Sequence, residues 1–306
     1  MAGKYRLITR SDFDGLVCAV LLKKLDLIGD IKFVHPKDMQ DGLISVTDKD
    51  ITTNLPYVEG VYLAFDHHLS ETIRNKDRKD NYIIDPEAPS AARVVYDHFG
   101  GRDKFPAKWD SMMLAVDKAD SAQFTKSDVL TPAGWELLSF LMDARTGLGR
   151  FRSFKISNYN LMMELIDYCK DHDIEDILQL PDVKERVELY MQYEEQFKEQ
   201  LQTAGEVHDN VLVVRLKDVE TIYPGNRFMK YALFPDTNIS IQVIWGLKKQ
   251  NTVFTVGKSI FNRSSDVNIG EMMLEYGGGG HRNAGTCQVD NDNAEAILAE
   301  IIGKLK

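Results

Sequence analysis

Cysteine is scarce in this chain, with three in 306 residues: Cys18, Cys169 and Cys287. They are odd in number, widely separated and in no zinc-binding spacing. That excludes a disulfide framework and points to a reducing cytosol. Long apolar runs are missing as well. No window approaches the roughly 18 residues that a membrane-spanning helix needs, and the opening MAGKYRLITRSDFDG lacks the apolar core of a secretory signal. The expectation is a cytoplasmic protein without a membrane partner. Positive charge is also short, with 37 Lys and Arg against 47 Asp and Glu and a formal net charge of −10. Proteins that coat long nucleic acids draw affinity from neutralising phosphates and usually carry basic excess. The acidic balance therefore argues against long duplex DNA as a partner. It leaves room for a small phosphorylated substrate whose charge is offset by metal or by a local basic pocket.

What is present is an ordinary globular composition. Apolar residues make up 43% and charged residues 27%, too apolar for a disordered chain. At about 150 residues per domain, the length predicts two domains or one large one. The first 90 residues alternate short apolar runs with a helical stretch: YRLIT (5–9), GLVCAVLLKKL (15–25), IKFVH (31–35), LISVT (43–47), VYLAF (61–65) and YII (82–84). Runs apolar almost throughout predict strands buried on both faces, hence a mainly parallel sheet flanked by helices. Helices are predicted over 90–99, 107–118, 133–143 and 157–171. The charged stretch 183–203 has a sparse apolar stripe of Val187, Tyr190, Met191 and Phe197. It predicts a long linker helix with Gly205 near its end. Strand runs return at 211–215, 239–244, 252–256 and 286–289, before a last helix near 293–304. The expected organisation is α/β: an N-terminal domain over 1–182, a linker helix over 183–205 and a smaller C-terminal α/β domain over 206–306.

Acidic and imidazole side chains gather just after the predicted strands. Asp12 and Asp14 follow the first, Asp48 follows LISVT, and Asp66, His67 and His68 follow VYLAF. Ligands of open parallel sheets bind outside the carboxyl ends of the strands. Three segments would thus deliver four Asp and two His to one edge. Singly, each has a plain structural reading: Asp14 as a helix cap, Asp48 as a turn residue, the His pair as a solvated loop. Together, the carboxylates would repel unless a cation neutralised them. Oxygen and imidazole donors without thiolates suit manganese, magnesium, iron or zinc, and predict a two-metal site.

Taken in order, Ser11-Asp12-Phe13-Asp14-Gly15, Asp48, Asp66-His67-His68 and Asp120 within DKADSAQF resemble the motif series of the DHH phosphoesterases. Gly277-Gly278-Gly279-Gly280-His281 resembles the glycine-rich signature of the C-terminal domain associated with that family, in its oligoribonuclease and exopolyphosphatase-like branch. The resemblance covers most of the chain. It implies that Asp14, His67 and Asp120 hold one metal, that Asp48 bridges two, and that Asp12 faces the second. Asp50 is the alternative bridge, and Asp117 the alternative to Asp120. Asp66 is implied as a carboxylate that orients the site's ligands, and His68 as a contact or proton donor at the scissile phosphate. Many family members carry a His two residues before the first Asp. Here that position is Arg10, whose guanidinium cannot ligate a metal but can hold a phosphate.

In the C-terminal signature, glycines free backbone N–H groups to form an anion nest. Gly278, Gly279, Gly280, His281 and Arg282 are candidate substrate contacts, with Lys258 and Arg10, and Arg263 as an auxiliary. The loop DARTGLGR (143–150) reads as a plain connection. Two divalent ions, manganese first, would activate a water and absorb charge on the phosphoryl oxygens. The expected function is a metal-dependent phosphodiesterase or exonuclease, a phosphoric ester hydrolase of short oligonucleotides or linear dinucleotides. Such a substrate needs no extended basic track. An exopolyphosphatase or nucleoside-bisphosphate phosphatase is the enzyme alternative, and a non-catalytic nucleotide sensor the alternative of another class. A homodimer is compatible with either.

Overall fold

The apolar run after the first strand becomes the centre of the N-terminal fold. The helix Phe13–Lys24 is buried on every side from Phe13 to Leu22, as a helix apolar all round must be. The computed structural model describes residues 4–306 except Lys76, Arg78 and Arg152. It divides into two units. Met1–Phe124 with Pro132–Leu189 form the first, and Thr125–Thr131 with Tyr190–Lys306 the second. Among the described residues, no helix is long and apolar enough to cross a membrane.

The first unit holds five strands: β1 (Tyr5–Arg10), β2 (Ile28–Val34), β3 (Asp50–Thr53), β4 (Leu63–Asp66) and β5 (Tyr82–Ile84). They pair in the order β2-β1-β3-β4-β5, every pair parallel. All carboxyl ends therefore share one edge. The helices Ala91–His98, Asp110–Asp120 and Asn158–Asp171 pack against Phe13–Lys24.

One predicted strand is corrected. Residues 43–47 form no strand: Leu43 is 70% exposed, while Ile44 and Val46 lie against Ile8, Val34, Met39 and Leu55. The strand belongs instead to the polar run Asp50-Ile51-Thr52-Thr53, which is wholly buried. β-branched threonines fit the pleat as valines do. The Thr53 hydroxyl donates to Thr9 Oγ1 at 2.7 Å, and Arg6 donates to both Asp50 oxygens, at 2.7 and 2.8 Å. Those partners offset the cost of burying polar groups.

The second unit is a six-stranded mixed sheet of β6 (Gly205–His208), β7 (Val211–Arg215), β8 (Ile239–Trp245), β9 (Thr252–Lys258), β10 (Gly279–His281) and β11 (Ala284–Val289). The order is β10-β11-β9-β8-β7-β6, antiparallel except between β7 and β8. Successive side chains of β7 take opposite faces. Val211 and Val213 join Ile241, Phe254 and the helix Ala294–Leu305, while Leu212 and Val214 join Phe197, Leu201 and Met229. The stretch expected as a linker helix holds two helices, Pro181–Gln192 and Glu194–Ala204, with Tyr193 between them. The short helix Lys126–Leu130 also belongs to this unit. A reciprocal cap by Thr125 and Asp128 starts it. Leu130 packs on the Phe197 cluster, and the buried Asn226 amide donates to the Val129 carbonyl at 2.8 Å.

Candidate metal centre

β1 ends at Arg10, and three residues later, at Phe13, the chain is already helical. Asp12 caps that helix, its Oδ1 accepting the Gly15 N–H at 3.0 Å. The turn is so tight that a Cβ on Gly15 would lie 2.0 Å from the Arg10 carbonyl oxygen, so only glycine fits. Asp14, 2% exposed, reaches the start of the helix Ala91–His98. It accepts the Ala91 and Ala92 N–H groups at 3.0 and 2.7 Å. That helix N-terminus favours a carboxylate. Burial and the charges of Asp120 and Asp12 nevertheless win, and push Asp14 up to about 7.

The carboxyl end of β4 supplies the DHH triplet. Asp66 is fully buried, and its Oδ1 accepts the backbone N–H groups of His67 and His68 at 2.8 and 3.3 Å. The same oxygen lies 2.7 Å from His68 Nδ1, and the Tyr82 hydroxyl donates to Oδ2 at 3.1 Å. Asp66 therefore fixes the His68 ring. Burial alone would lower the His68 pKa, but its bond to Asp66 raises it above the usual histidine value.

His67 turns the other way. Its Nδ1 lies 3.1 Å from the Ala88 carbonyl, and its Nε2 lies 2.9 Å from Asp120 Oδ2. Nε2 is buried and lacks hydrogen-bond geometry to any acceptor. Ligand atoms of Asp14, His67 and Asp120 lie within 4.8 Å of one another. Asp120 is the last residue of the helix Asp110–Asp120, where the helix dipole disfavours negative charge. An imidazole nitrogen held between two carboxylates, with its other nitrogen fixed by a carbonyl, fits one divalent cation. Without metal, burial would lower the His67 pKa, but Asp120 and Asp14 raise it to about 9. Asp120 stays below the usual carboxylate value, because His67 outweighs the burial that would raise it. Asp117, the alternative to Asp120, is occupied elsewhere: it accepts from Ser90 Oγ at 2.7 Å and from Arg93.

The second metal position does not fit. Asp48, expected as the bridging ligand, is exposed in the turn ahead of β3. Asp50, the alternative, opens β3 and is bound to Arg6. Both lie at the amino end of a parallel strand, roughly 10 Å from the carboxyl edge. The reason is the register: the strand is 50–53, not 43–47. What β3 delivers to the site is Asn54, whose Nδ2 donates to Asp12 Oδ1 at 3.1 Å. The other Asp12 oxygen lies 2.8 Å from Arg10 Nε. Arg145, tied to Asp143 at 2.7 Å, adds positive charge near Asp12. Burial raises the Asp12 pKa, while Arg10 and Arg145 lower it. Asn54 escaped the sequence reading because that reading looked for charged and imidazole donors, and an amide offers only a neutral oxygen. Its signal is a polar residue in the left-handed region (φ 54°) directly after a β-branched strand.

The second unit carries the glycine motif. Gly277 and Gly278 donate to the Leu274 and Met273 carbonyls at 3.1 and 2.9 Å, closing the helix Ile269–Leu274. Those two N–H groups are therefore spent on a helix end rather than on an anion nest. A Cβ on Gly278 would lie 2.1 Å from the Thr286 carbonyl oxygen, so this glycine serves close packing of β10 on β11. Gly279, Gly280 and His281 form β10, with His281 and Arg282 exposed. Lys258 Nζ donates to the Ser265 carbonyl at 2.9 Å. Burial and then nearby Arg282 lower the Lys258 pKa, which places these two cations together. Arg263 donates to the Ile260 carbonyl at 3.0 Å.

No family model matches the chain. It is 60% identical to a solved pGpG-specific phosphodiesterase, PggH from Vibrio cholerae, with 99% of each chain covered and a TM-score of 0.90. A RecJ structure with Mn2+ from Thermus thermophilus aligns at 14% identity and a TM-score of 0.51, covering 98% of this chain and 52% of that one. That likeness is one of fold. An A-adding tRNA nucleotidyltransferase of Aquifex aeolicus is 31% identical over 121 residues, 35% of this chain. The match spans 14% of that protein.

Proposed function

The chain belongs to the DHH phosphoesterase family, and we propose that it is a metal-dependent phosphodiesterase of linear dinucleotides, with pGpG as the first substrate to test. The full-length likeness to a pGpG-specific enzyme carries this reading. Hydrolysis would break one P–O bond of the linking phosphate, consume one water and yield two mononucleotides. A divalent ion held by Asp14, His67 and Asp120 would supply Lewis-acid polarisation of the phosphoryl group and acidify the attacking water.

The chain's own residues account for the rest. Asp66 engages His68 Nδ1, so Nε2 is the atom left for the substrate. The bond to Asp66 raises its proton affinity above the usual histidine value, which suits it to donate to the departing ribose oxygen. Lys258 and Arg282 are our candidates for the terminal phosphate. Manganese is our working ion, since a mixed oxygen and imidazole donor set suits it. Three buried free thiols fit the reducing cytoplasm in which we place the protein.

The test is turnover by the full-length chain with Mn2+ and pGpG, short RNA or polyphosphate, resolved by ion-exchange chromatography, beside a His67→Ala control. GMP release from pGpG, absent in the variant, is expected. Phosphate release from polyphosphate with pGpG left intact would overturn the reading.

A further inference from the structure

Asp12 stands where a second cation would need a ligand, and both of its oxygens are already engaged. Oδ1 accepts from the Gly15 N–H and the Asn54 amide, and Oδ2 pairs with Arg10. No carboxylate arrives from the carboxyl end of β3 to bridge two ions. Among the described residues, one group of three metal-ligating side chains converges, and Asp12 is not in it. An amide is neutral, and a guanidinium stays charged and offers no lone pair. A cation beside Arg10 would meet repulsion, and the buried Asn54 Oδ1 would offer it only a neutral oxygen in place of a bridging carboxylate.

The same arrangement suits an anion. Arg10 closes β1 at the carboxyl edge and is 37% exposed. Its Nη groups make no hydrogen bond among the described residues, while Nε is tied to Asp12. A guanidinium anchored at one nitrogen presents two parallel N–H donors, the geometry that matches two phosphate oxygens. Its charge also reaches Asp120, one of the three metal-ligating groups, whose carboxyl it helps hold down. Arg145 adds positive charge near Asp12.

We propose that the chain binds a single divalent ion, and that Arg10 replaces a second one by holding the non-bridging oxygens of the scissile phosphate. The Arg10 half rests on the dinucleotide reading above; the one-ion half does not. Asp12 is then a positioning residue that aims Arg10, and Asn54 locks Asp12.

Equilibrium dialysis of the full-length chain against Mn2+, with metal counted by mass spectrometry, tests the first half without any turnover. One ion per wild-type chain and none in His67→Ala are expected. Two in the double variant Arg10→His/Asn54→Asp, which restores an imidazole and a carboxylate, are expected as well. Two ions in the wild type, or one in the double variant, would overturn it. Direct binding of pGpG tests the second half. Arg10→Gln should weaken it about 10- to 100-fold, the loss of a charge-assisted contact, while the Mn2+ count stays at one. Unchanged affinity would overturn the role of Arg10. A wild type that takes one ion yet neither binds nor cleaves pGpG would sink the dinucleotide reading alone.

Discussion

Loading the metal centre should expel protons, and the structure says how many. Metal ligation requires deprotonated ligands, so binding is coupled to proton release. In the metal-free protein His67 is raised to about 9 and Asp14 to about 7. At pH 7, His67 is almost fully protonated and Asp14 about half, so binding one Mn2+ should release roughly 1.5 protons. At pH 9 the release should fall to roughly 0.5. The same protons set the stability of the metal-free fold. Both groups bind protons more tightly folded than unfolded, so stability falls as pH rises. The Asp14 contribution is lost between its unfolded value of 3.8 and about 7, at a cost of about 4 kcal/mol. The His67 contribution is fully present below 6.5 and lost as pH rises through about 9. Isothermal titration of Mn2+ at matched pH in buffers of different ionisation enthalpy counts the protons directly. Calorimetric enthalpies at pH 7 that do not depend on the buffer would refute the reasoning, because they would mean that neither His67 nor Asp14 gives up a proton.

Three further outcomes follow from particular contacts. Asp66→Asn removes the charge that orients His68, so kcat on pGpG should drop about 10- to 100-fold, with the Mn2+ count unchanged by dialysis. Asp48→Ala, in its exposed turn, should keep kcat and KM within about twofold in steady-state assays, as an exposed substitution away from the chemistry does. Gly15→Ala sets a Cβ against the Arg10 carbonyl. It should cost at least about 1–3 kcal/mol in urea denaturation and weaken Mn2+ binding by shifting Asp14.

Much of the centre is legible in the sequence because its residues sit beside strands that announce themselves. Asp12, Asp14, Asp66, His67 and His68 flank apolar runs, and the structure brings them to one sheet edge. Asp120 is legible through the DSAQF context, although Asp117 is another aspartate one turn away; its bonds to Ser90 and Arg93 set it apart. β3 is illegible for a definite reason. Its burial rests on long-range partners, Thr9 for Thr53 and Arg6 for Asp50, and a window of neighbours contains neither. The apolar run at 43–47 is a decoy whose Ile44 and Val46 cover a small cluster from outside the sheet. The same blind spot hides Asn54, and with it the loss of the second metal position. In the second sheet, β7 and β8 are legible from apolar content, whereas β10 is missing from the predicted strands because glycines carry no pattern.

The helix Lys126–Leu130 has a consequence for the order in which the protein is made. It packs with residues that follow it by 67 or more positions, such as Phe197 and Asn226. During synthesis at about 5–20 residues per second, Thr125–Thr131 leave the ribosome before the Phe197 cluster and Asn226 have been made. All of 132–189 is added before that cluster appears. Early folding of the first unit must therefore proceed with a loop held open in its middle. A fragment beginning at residue 190 would likewise leave Asn226 buried without its carbonyl. The chain passes between its units three times, so the C-terminal sheet is not a module that can be cut away intact.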